Sequence, residues 1–317
     1  MANHLKRFQN FSHHHRLWEK GDKIIIGVSG GPDSVCLFSL FLSLQKKYAL
    51  SLVIAHVNYG LRGKDSDRDE AFVKKMAKDS EIEFKLLKPK IGMKNRSEEN
   101  LRKIRYDFFE KIRKNEGYDL IAVGHNLDDR VETYLMRILR GASLKGLRSM
   151  QPKNGFIIRP LLGFTRDKII NYLKSHKIKF RIDHSNKDRT FTRNRVRHEL
   201  IPYLENNFNP NLKKTLAKNI ENINDDFEII EFLMNKNPDL ALPLSVKKLQ
   251  NYPIGLQKRL LLLSIEKARG DLMDIDSSHL DEIIKIVYSA KSKNQLFKLR
   301  DLKITRKGDK ITMNQTG

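Results

Sequence analysis

The chain has 317 residues and a mass of 37.0 kDa, enough for two ordinary domains, and its apolar and charged fractions of 39% and 31% suit a soluble globular protein. No apolar run approaches the roughly 20 residues that span a bilayer, and no apolar stretch of signal-peptide type follows the start. The lone Cys36 excludes an intramolecular disulfide and any Cys–Cys metal or persulfide pair. These features predict a cytoplasmic protein with no membrane partner. Lys plus Arg number 61 against 38 Asp plus Glu, a net charge of +23. Such an excess predicts a polyanionic partner, nucleic acid before non-specific anion attraction, through phosphate contacts and counterion release.

In chain order, His13–His15 reads as a solvated turn, and "KIIIGV" (23–28) as a strand. The loop "GVSGGPDS" (27–34) follows, then a helix from Asp33 to Lys47. A second strand is predicted over 51–57, a charged helix from Asp67 to Asp79, and a third strand over 82–87. A long helix runs from Ser97 to Asn115, a strand over 119–124, and a helix from Leu127 to Arg140. Short apolar strands alternating with helices predict an α/β fold with a doubly wound parallel sheet. Ligands of such sheets sit at the strand carboxyl ends. Gly27–Ser34, His56–Arg62 and Gly124–Asp129 therefore share one edge. After about Pro202, "PYLENNFNPN" reads as a linker. Helical stretches over 211–236, 253–269 and 276–289 follow, and the tail from 294 alternates like a small β-meander, making a smaller, mainly helical α+β domain. Domains are expected over 1–205 and 206–317.

The loop after the first strand carries the strongest chemical signal. Glycines let backbone N–H groups converge on an anion, and a helix N-terminus adds partial positive charge. The loop lacks the lysine of a Walker A motif, and Gly27, Gly30 and Gly31 miss the dinucleotide spacing. What remains is S-G-G-P-D-S: Ser29 and Ser34 offer hydroxyls, Gly30 and Gly31 offer amides, and Pro32 precedes a carboxylate. Asp33 beside phosphates implies an intervening Mg²⁺, hence a metal-bound nucleotide. A plain helix N-cap explains one of these residues, not all six in order. The motif resembles the pyrophosphate loop of the N-type ATP pyrophosphatases, which implies ATP as cosubstrate and activation by adenylylation.

On "LDDRVETYLMRILR", Leu127, Val131, Tyr134, Leu135, Ile138 and Leu139 form an apolar stripe, with Asp129, Glu132 and Thr133 opposite. Two adjacent carboxylates can hold an ammonium group; the alternative is that acids favour a first helical turn. On "SEENLRKIRYDFFEKI", Leu101, Ile104, Phe108 and Ile112 define a buried stripe into which Arg105 falls. An inward guanidinium needs carboxylates or a ligand, unless it snorkels. "NKDRTFTRNRVRH" clusters Lys187, Arg189, Arg193, Arg195, Arg197 and His198, a solvated basic face or an RNA groove. His56 and His125 follow strand ends, where nucleotide contact competes with a structural role.

Taken with "AHVNYGLRG" (55–63), "VGHNLDDRVET" (123–133), "RGASLKGLRSM" (140–150) and "RPLLGFTRDKI" (159–169), these stretches resemble the tRNA(Ile)-lysidine synthetase family in its short form. The resemblance implies ATP-dependent adenylylation of C2 of the wobble cytidine in a CAU-anticodon isoleucine tRNA, then displacement of AMP by the ε-amine of free lysine. It further implies a C-terminal tRNA-binding domain. It places Arg105, Asp129 and Glu132 at the lysine and reaction site, with Asp129 a candidate base. Arg197 becomes the charge stabiliser of departing pyrophosphate, and His56 and His125 nucleotide contacts. Tyr59 and Asn126 stand where the family has histidines. The oligomeric state stays open, a dimer included. Competing readings are a 2-thiolase, which needs more than Cys36; an amidotransferase, which does not explain the charge; and a basic RNA-binding module with a degenerate nucleotide fold.

Overall fold

The computed structural model describes residues 2–90, 92, 96–181, 192–235, 243–272, 275–290 and 294–315. Lys187 and Arg189 lie outside the described residues. Two compact units emerge, Met1–Phe227 and Glu228–Gly317.

In the first unit, α1 (Ala2–His14) precedes β1 (Lys23–Gly27), α2 (Pro32–Tyr48), β2 (Ser51–Val57), α3 (Lys64–Asp79) and β3 (Glu83–Leu87). Then follow α4 (Glu98–Glu116), β4 (Leu120–Val123), α5 (Leu127–Leu139), α6 (Leu144–Leu147), the short strands β5 (Lys153–Asn154) and β6 (Ile157–Ile158), and α7 (Arg166–Ser175). The sheet order is β3-β2-β1-β4-β6-β5, parallel except for β5 against β6. The chain winds outward from β1 in one direction and from β4 in the other, so the switch point lies between them. Gly27 pairs with Val123 there, and their carboxyl ends adjoin.

Why these runs become parallel strands is visible in their burial. Ile24, Ile25 and Ile26 are all fully buried, as sheets covered on both faces require. Their side chains alternate between two cores. Ile24, Ile26, Leu52 and Ile54 pack with α1, α2, α3 and α7 through Phe8, Leu37, Val73 and Ile169. Ile25, Val53, Ala55 and Ile121 pack beneath Phe109 and Ile112 of α4. The inward face of α4 thus centres on Phe109 and Ile112, with Phe108 only partly buried, a small rotation from the expected stripe.

A third cluster ties α5 to the segment that follows. α8 (Thr192–Arg195), a π-helical turn (Val196–Leu200) and α9 (Ile201–Asn207) run end to end and precede α10 (Leu212–Asn235). Leu127, Val131 and Leu135 pack with Val196, Ile201 and Ala217. The segment expected to be a linker therefore contains a helix, the expected boundary at 205/206 falls inside it, and the division between compact units falls within α10. At the N-terminus, His13 and His14 end α1 instead of forming a free turn, and His15 packs its ring 4.5 Å from that of Phe11.

The second unit holds β7 (Leu244–Ser245), α11 (Val246–Gln250), α12 (Ile254–Arg269), α13 (Ser277–Tyr288) and the meander β8 (Gln295–Leu299), β9 (Leu302–Lys307) and β10 (Lys310–Gln315). The antiparallel order is β7-β10-β9-β8, with Leu302, Ile304 and Ile311 packed on Leu261, Ile265 and Ile283 of the helices.

Candidate active site

The loop between β1 and α2 is held by its own side chains. Ser34 Oγ donates to the Gly31 carbonyl at 2.9 Å and accepts from the Ser29 amide at 3.1 Å; Ser29 Oγ lies 3.2 Å from it. Gly30 takes φ +92°, open to glycine but strained for other residues. Gly124, after β4, meets the loop closely: a Cβ there would lie 3.0 Å from the Ser34 amide nitrogen and 3.1 Å from the Asp33 carbonyl carbon. A side chain there would crowd backbone and push the loop back by a few tenths of an ångström, so glycine favours the close approach of the two strand ends.

At this edge lies a cavity of about 200 Å³. Ser29, Gly31, Asp33 and Ser34 line it with Gly124, His125, Tyr59 and Arg105; Val57, Tyr106 and Phe109 supply apolar walls. Phe109 reaches the cavity because Gly27 is bare: a Cβ there would lie 2.8 Å from the ring. The expected loop residues and Arg105 are thus brought together. Gly30, Pro32 and His56 are not among the lining residues. Pro32 opens α2, and His56 is buried, with Nδ1 2.7 Å from the Val28 carbonyl oxygen and its pKa lowered by burial. His125 keeps its buried Nδ1 without a hydrogen-bond partner. Burial and the nearby guanidinium groups of Arg159, Arg102, Arg105 and Arg193 hold its pKa well below the usual value, so it is neutral at pH 7. Among the described residues no carboxylate pairs with Arg105, whose guanidinium carbon sits 5.8 Å from the Tyr106 ring centre.

Asp33 accepts a hydrogen bond from Asn126 Nδ2 at 3.0 Å and an ion pair from Arg166. Burial raises its pKa; Arg166 opposes that rise and the Asp129 charge adds to it. Asn126 also caps α5. Its Oδ1 accepts from the Asp129 amide at 3.0 Å, while Asp129 Oδ2 accepts from the Asn126 amide at 3.0 Å, closing a capping box. One asparagine thereby links the helix carrying the carboxylates to the loop carrying Asp33. Tyr59, the other departure from the family pattern, donates to the Leu101 carbonyl at 2.7 Å and ties the end of β2 to α4.

The acidic face of α5 is not open. Glu132 is 1% exposed and holds two guanidinium groups: Arg193 Nε donates at 2.9 Å, and Arg197 Nε and Nη2 donate at 2.6 and 2.9 Å. Asp129 Oδ1 accepts from Arg193 Nη2 at 2.9 Å and Arg197 Nη2 at 3.2 Å. Burial works against both arginine charges, yet Asp129 and Glu132 more than offset it, and both pKa values rise. The result is a charge-balanced square of two carboxylates and two guanidinium groups. Arg193, grouped with solvated basic residues on sequence grounds, belongs inside it. The apolar stripe of α5 is also shorter than expected, with Ile138 and Leu139 45% and 65% exposed.

Sequence reasoning missed Arg166 and the roles of Asn126 and Arg193. The Asn126 cap was legible as an asparagine three residues before an acid at a helix start. Arg166 had no local signal, being 133 residues from Asp33. The thiol of Cys36 is buried in α2, and burial pushes its pKa up, as an inert packing residue requires.

Comparison with known proteins places this geometry. The PP-loop domain family matches residues 1–204. The U34-tRNA thiolase NcsA from Methanococcus maripaludis shares the fold, with a TM-score of 0.57 and 22% identity over 69% of this chain and 77% of that one. The tRNA(Ile)-lysidine synthase of Geobacter sulfurreducens is 36% identical over 97% of this chain and 68% of its own length. That of Clostridium tetani is 36% identical over 87% of this chain but 62% of its own length, so this chain spans about two thirds of such relatives. The chain is a PP-loop protein and belongs to the tRNA(Ile)-lysidine synthase family. No helix among the described residues is long and apolar enough to cross a membrane.

Proposed function

We propose that this chain joins lysine to C2 of the wobble cytidine of a CAU-anticodon isoleucine tRNA, changing the codon read from AUG to AUA. The observation that carries the reading is the Asn126 bridge. It sets the ATP-type loop at the end of β1 directly beside the carboxylate pair that follows β4.

In this reading the C2 oxygen attacks the α-phosphate of ATP, the Pα–O bond to pyrophosphate breaks, and the adenylylated cytidine forms. The deprotonated ε-amine of lysine then attacks C2, and AMP leaves with the C2 oxygen. Ser29, Gly30, Gly31, Pro32 and Ser34 shape the phosphate loop, with Ser34 mainly bracing it. His125 faces the nucleotide; His56 supports it from the strand behind. Among the described residues no group of three or more His, Cys, Asp or Glu is set to hold a metal. The single carboxylate Asp33 in the cavity wall would suit Mg²⁺ held otherwise by phosphate oxygens and water. The metal would neutralise phosphate charge there, with Arg166 released from Asp33. Arg105 supplies an unpaired guanidinium to the cavity. Asp129 and Glu132 receive the lysine ammonium once the triphosphate draws Arg197 to the departing pyrophosphate. That exchange conserves charge: one cation leaves the carboxylates and another takes its place. Asp129 remains the candidate acceptor of the ammonium proton.

The test is one incubation of protein with CAU-anticodon isoleucine tRNA, ATP, Mg²⁺ and radiolabelled lysine. Acid-stable label in that tRNA, with AMP and pyrophosphate released and methionine tRNA unlabelled, supports the reading. AMP formed only with sulfide or ammonia in place of lysine refutes it. A single buried free cysteine accords with work in the reducing cytoplasm; the oligomeric state, a dimer included, is left to hydrodynamics.

The second unit supports a polyanionic partner. On the outward face of its sheet Lys298 stands directly opposite Lys303, and Lys307 opposite Lys310, with Thr305 and Thr312 between. Like charges directly across a ladder are destabilising, and none of these four lysines pairs with a carboxylate among the described residues. Phosphates would relieve the repulsion. Replacing Lys303 and Lys310 by alanine is expected to lower the slope of log binding constant against log salt for tRNA by about 1.5–2. An unchanged slope, measured from 50 to 200 mM salt on the order of the usual range, removes this face from the tRNA interface.

A further inference from the structure

The segment "PYLENNFNPN" takes no part in the site, yet it carries an anomaly. Tyr203 and Phe208 are 58% and 71% exposed, and their ring centres lie 6.0 Å apart at 60°. Two large aromatic side chains at the end of a short helix pack against each other and not into a core. The helix itself is not loose: Ile201 is buried with Val196, Leu127 and Val131, so α9 is anchored on α5.

The position of this pair is informative. α8, the π-helical turn and α9 form one continuous helical path from Thr192 to Asn207. Its inward side holds Arg193 and Arg197 against Asp129 and Glu132. Its outward side exposes Arg195, His198, Tyr203, Asn206 and Asn207. Lys214 and Lys218 are exposed on α10 just beyond. The acids nearby are engaged: Glu199 lies 4.0 Å from Arg195 and Glu205 3.9 Å from Lys213. Six residues of helix between Arg197 and Tyr203 amount to about 9 Å, on the order of one to two nucleotide steps from the reaction carboxylates.

We infer that Tyr203 and Phe208 form a stacking platform for an unpaired base of the RNA substrate, one flanking the base that enters the site. This rests on the proposed reading of tRNA as substrate. A base drawn out of a loop leaves its neighbours unstacked, and proteins meet such bases with aromatic faces beside cations and amides. Exposed rings in a chain of net charge +23 have that complement at hand.

The experiment compares Tyr203→Leu/Phe208→Leu, which keeps apolar area but removes the π-faces, with Tyr203→Trp and the parent chain. The probe is an anticodon stem-loop of the CAU tRNA carrying 2-aminopurine beside the wobble cytidine. The platform predicts quenching on binding to the parent and to Tyr203→Trp. It predicts no quenching, with affinity about 5- to 150-fold weaker, for the leucine variant. ATP affinity should be the same in all three. Equal affinity and quenching in the leucine variant overturn the platform, as does a leucine variant whose only change is in self-association or protein capture. A parent chain that binds no stem-loop at all refutes the tRNA reading instead, and the two failures are thereby separable.

Discussion

An Asp33→Ala variant is expected to lose AMP formation by about 10³-fold or more, with tRNA affinity within roughly twofold of the parent because that affinity rests on surface cations. Asp33 is the carboxylate of the phosphate loop, it lines the cavity, and it is bound from opposite sides by Asn126 and Arg166. Removing it deletes the proposed metal ligand and strands the Arg166 guanidinium beside phosphates. Single-turnover AMP release and filter binding of tRNA, on protein shown folded by circular dichroism, give the two readouts. Equal losses in both would refute the division of labour.

Asp33 also makes a pH prediction with a definite sign. Burial raises its pKa and Arg166 holds it down. In the role proposed for it Asp33 acts as the ionised carboxylate, so activity is expected to fall as pH drops through that raised value. An Arg166→Ala variant removes the main opposing charge and should move the acid limb of the profile to higher pH. An unmoved limb, or one shifted to lower pH, would show that another group controls it.

Glu132→Ala is expected to cost about 3 kcal/mol of stability, the low end for breaking a buried ion pair because both arginines remain about a third exposed. For a unit of this size that is roughly 6–12 °C in Tm. Its cause is specific: Glu132, 1% exposed, accepts three hydrogen bonds from Arg193 and Arg197, and without it the two guanidinium groups share Asp129, with the exposed Glu98 3.9 Å from Arg193. Glu132→Gln keeps the volume and part of the hydrogen bonding, so it folds better and isolates the functional charge. It should raise the KM for lysine by about tenfold or more while moving that for ATP little, since the ammonium is the group the lost charge would meet. A thermal melt checks the first variant and paired substrate titrations the second. A Glu132→Gln enzyme that needs more ATP and not more lysine would assign Glu132 to the phosphate half of the site.

How much of this was legible beforehand depends on the range of the interaction concerned. Local patterns determined the strands and helices of the first unit. Ile24–Ile26 are apolar without alternation because both faces of β1 are covered, and glycines, a proline and an acid between a strand and a helix already describe a loop built around an anion. The meander at the C-terminal end was readable for the same reason: a period of two in side-chain polarity follows from the pleat. The loop motif pointed to a nucleotide and the carboxylate spacing on α5 to an ammonium group, because each lies within a dozen residues of chain.

Pairing across the fold was decided by tertiary structure alone. Arg166 reaches Asp33 from far along the chain, and Arg193 leaves a basic run to join Glu132, whose carboxylate reads from sequence as a seat for an ammonium group. A charged side chain carries no sequence mark of its partner; the partner is whichever opposite charge the packing of α5 against α8 and α9 brings within reach. The same packing turned a stretch rich in proline and asparagine into a helix, since burying Ile201 on Leu127 and Val131 outweighs a weak local preference. Period and composition set what each segment becomes, while desolvation and proximity, which exist only once the segments are packed, set what each charge does.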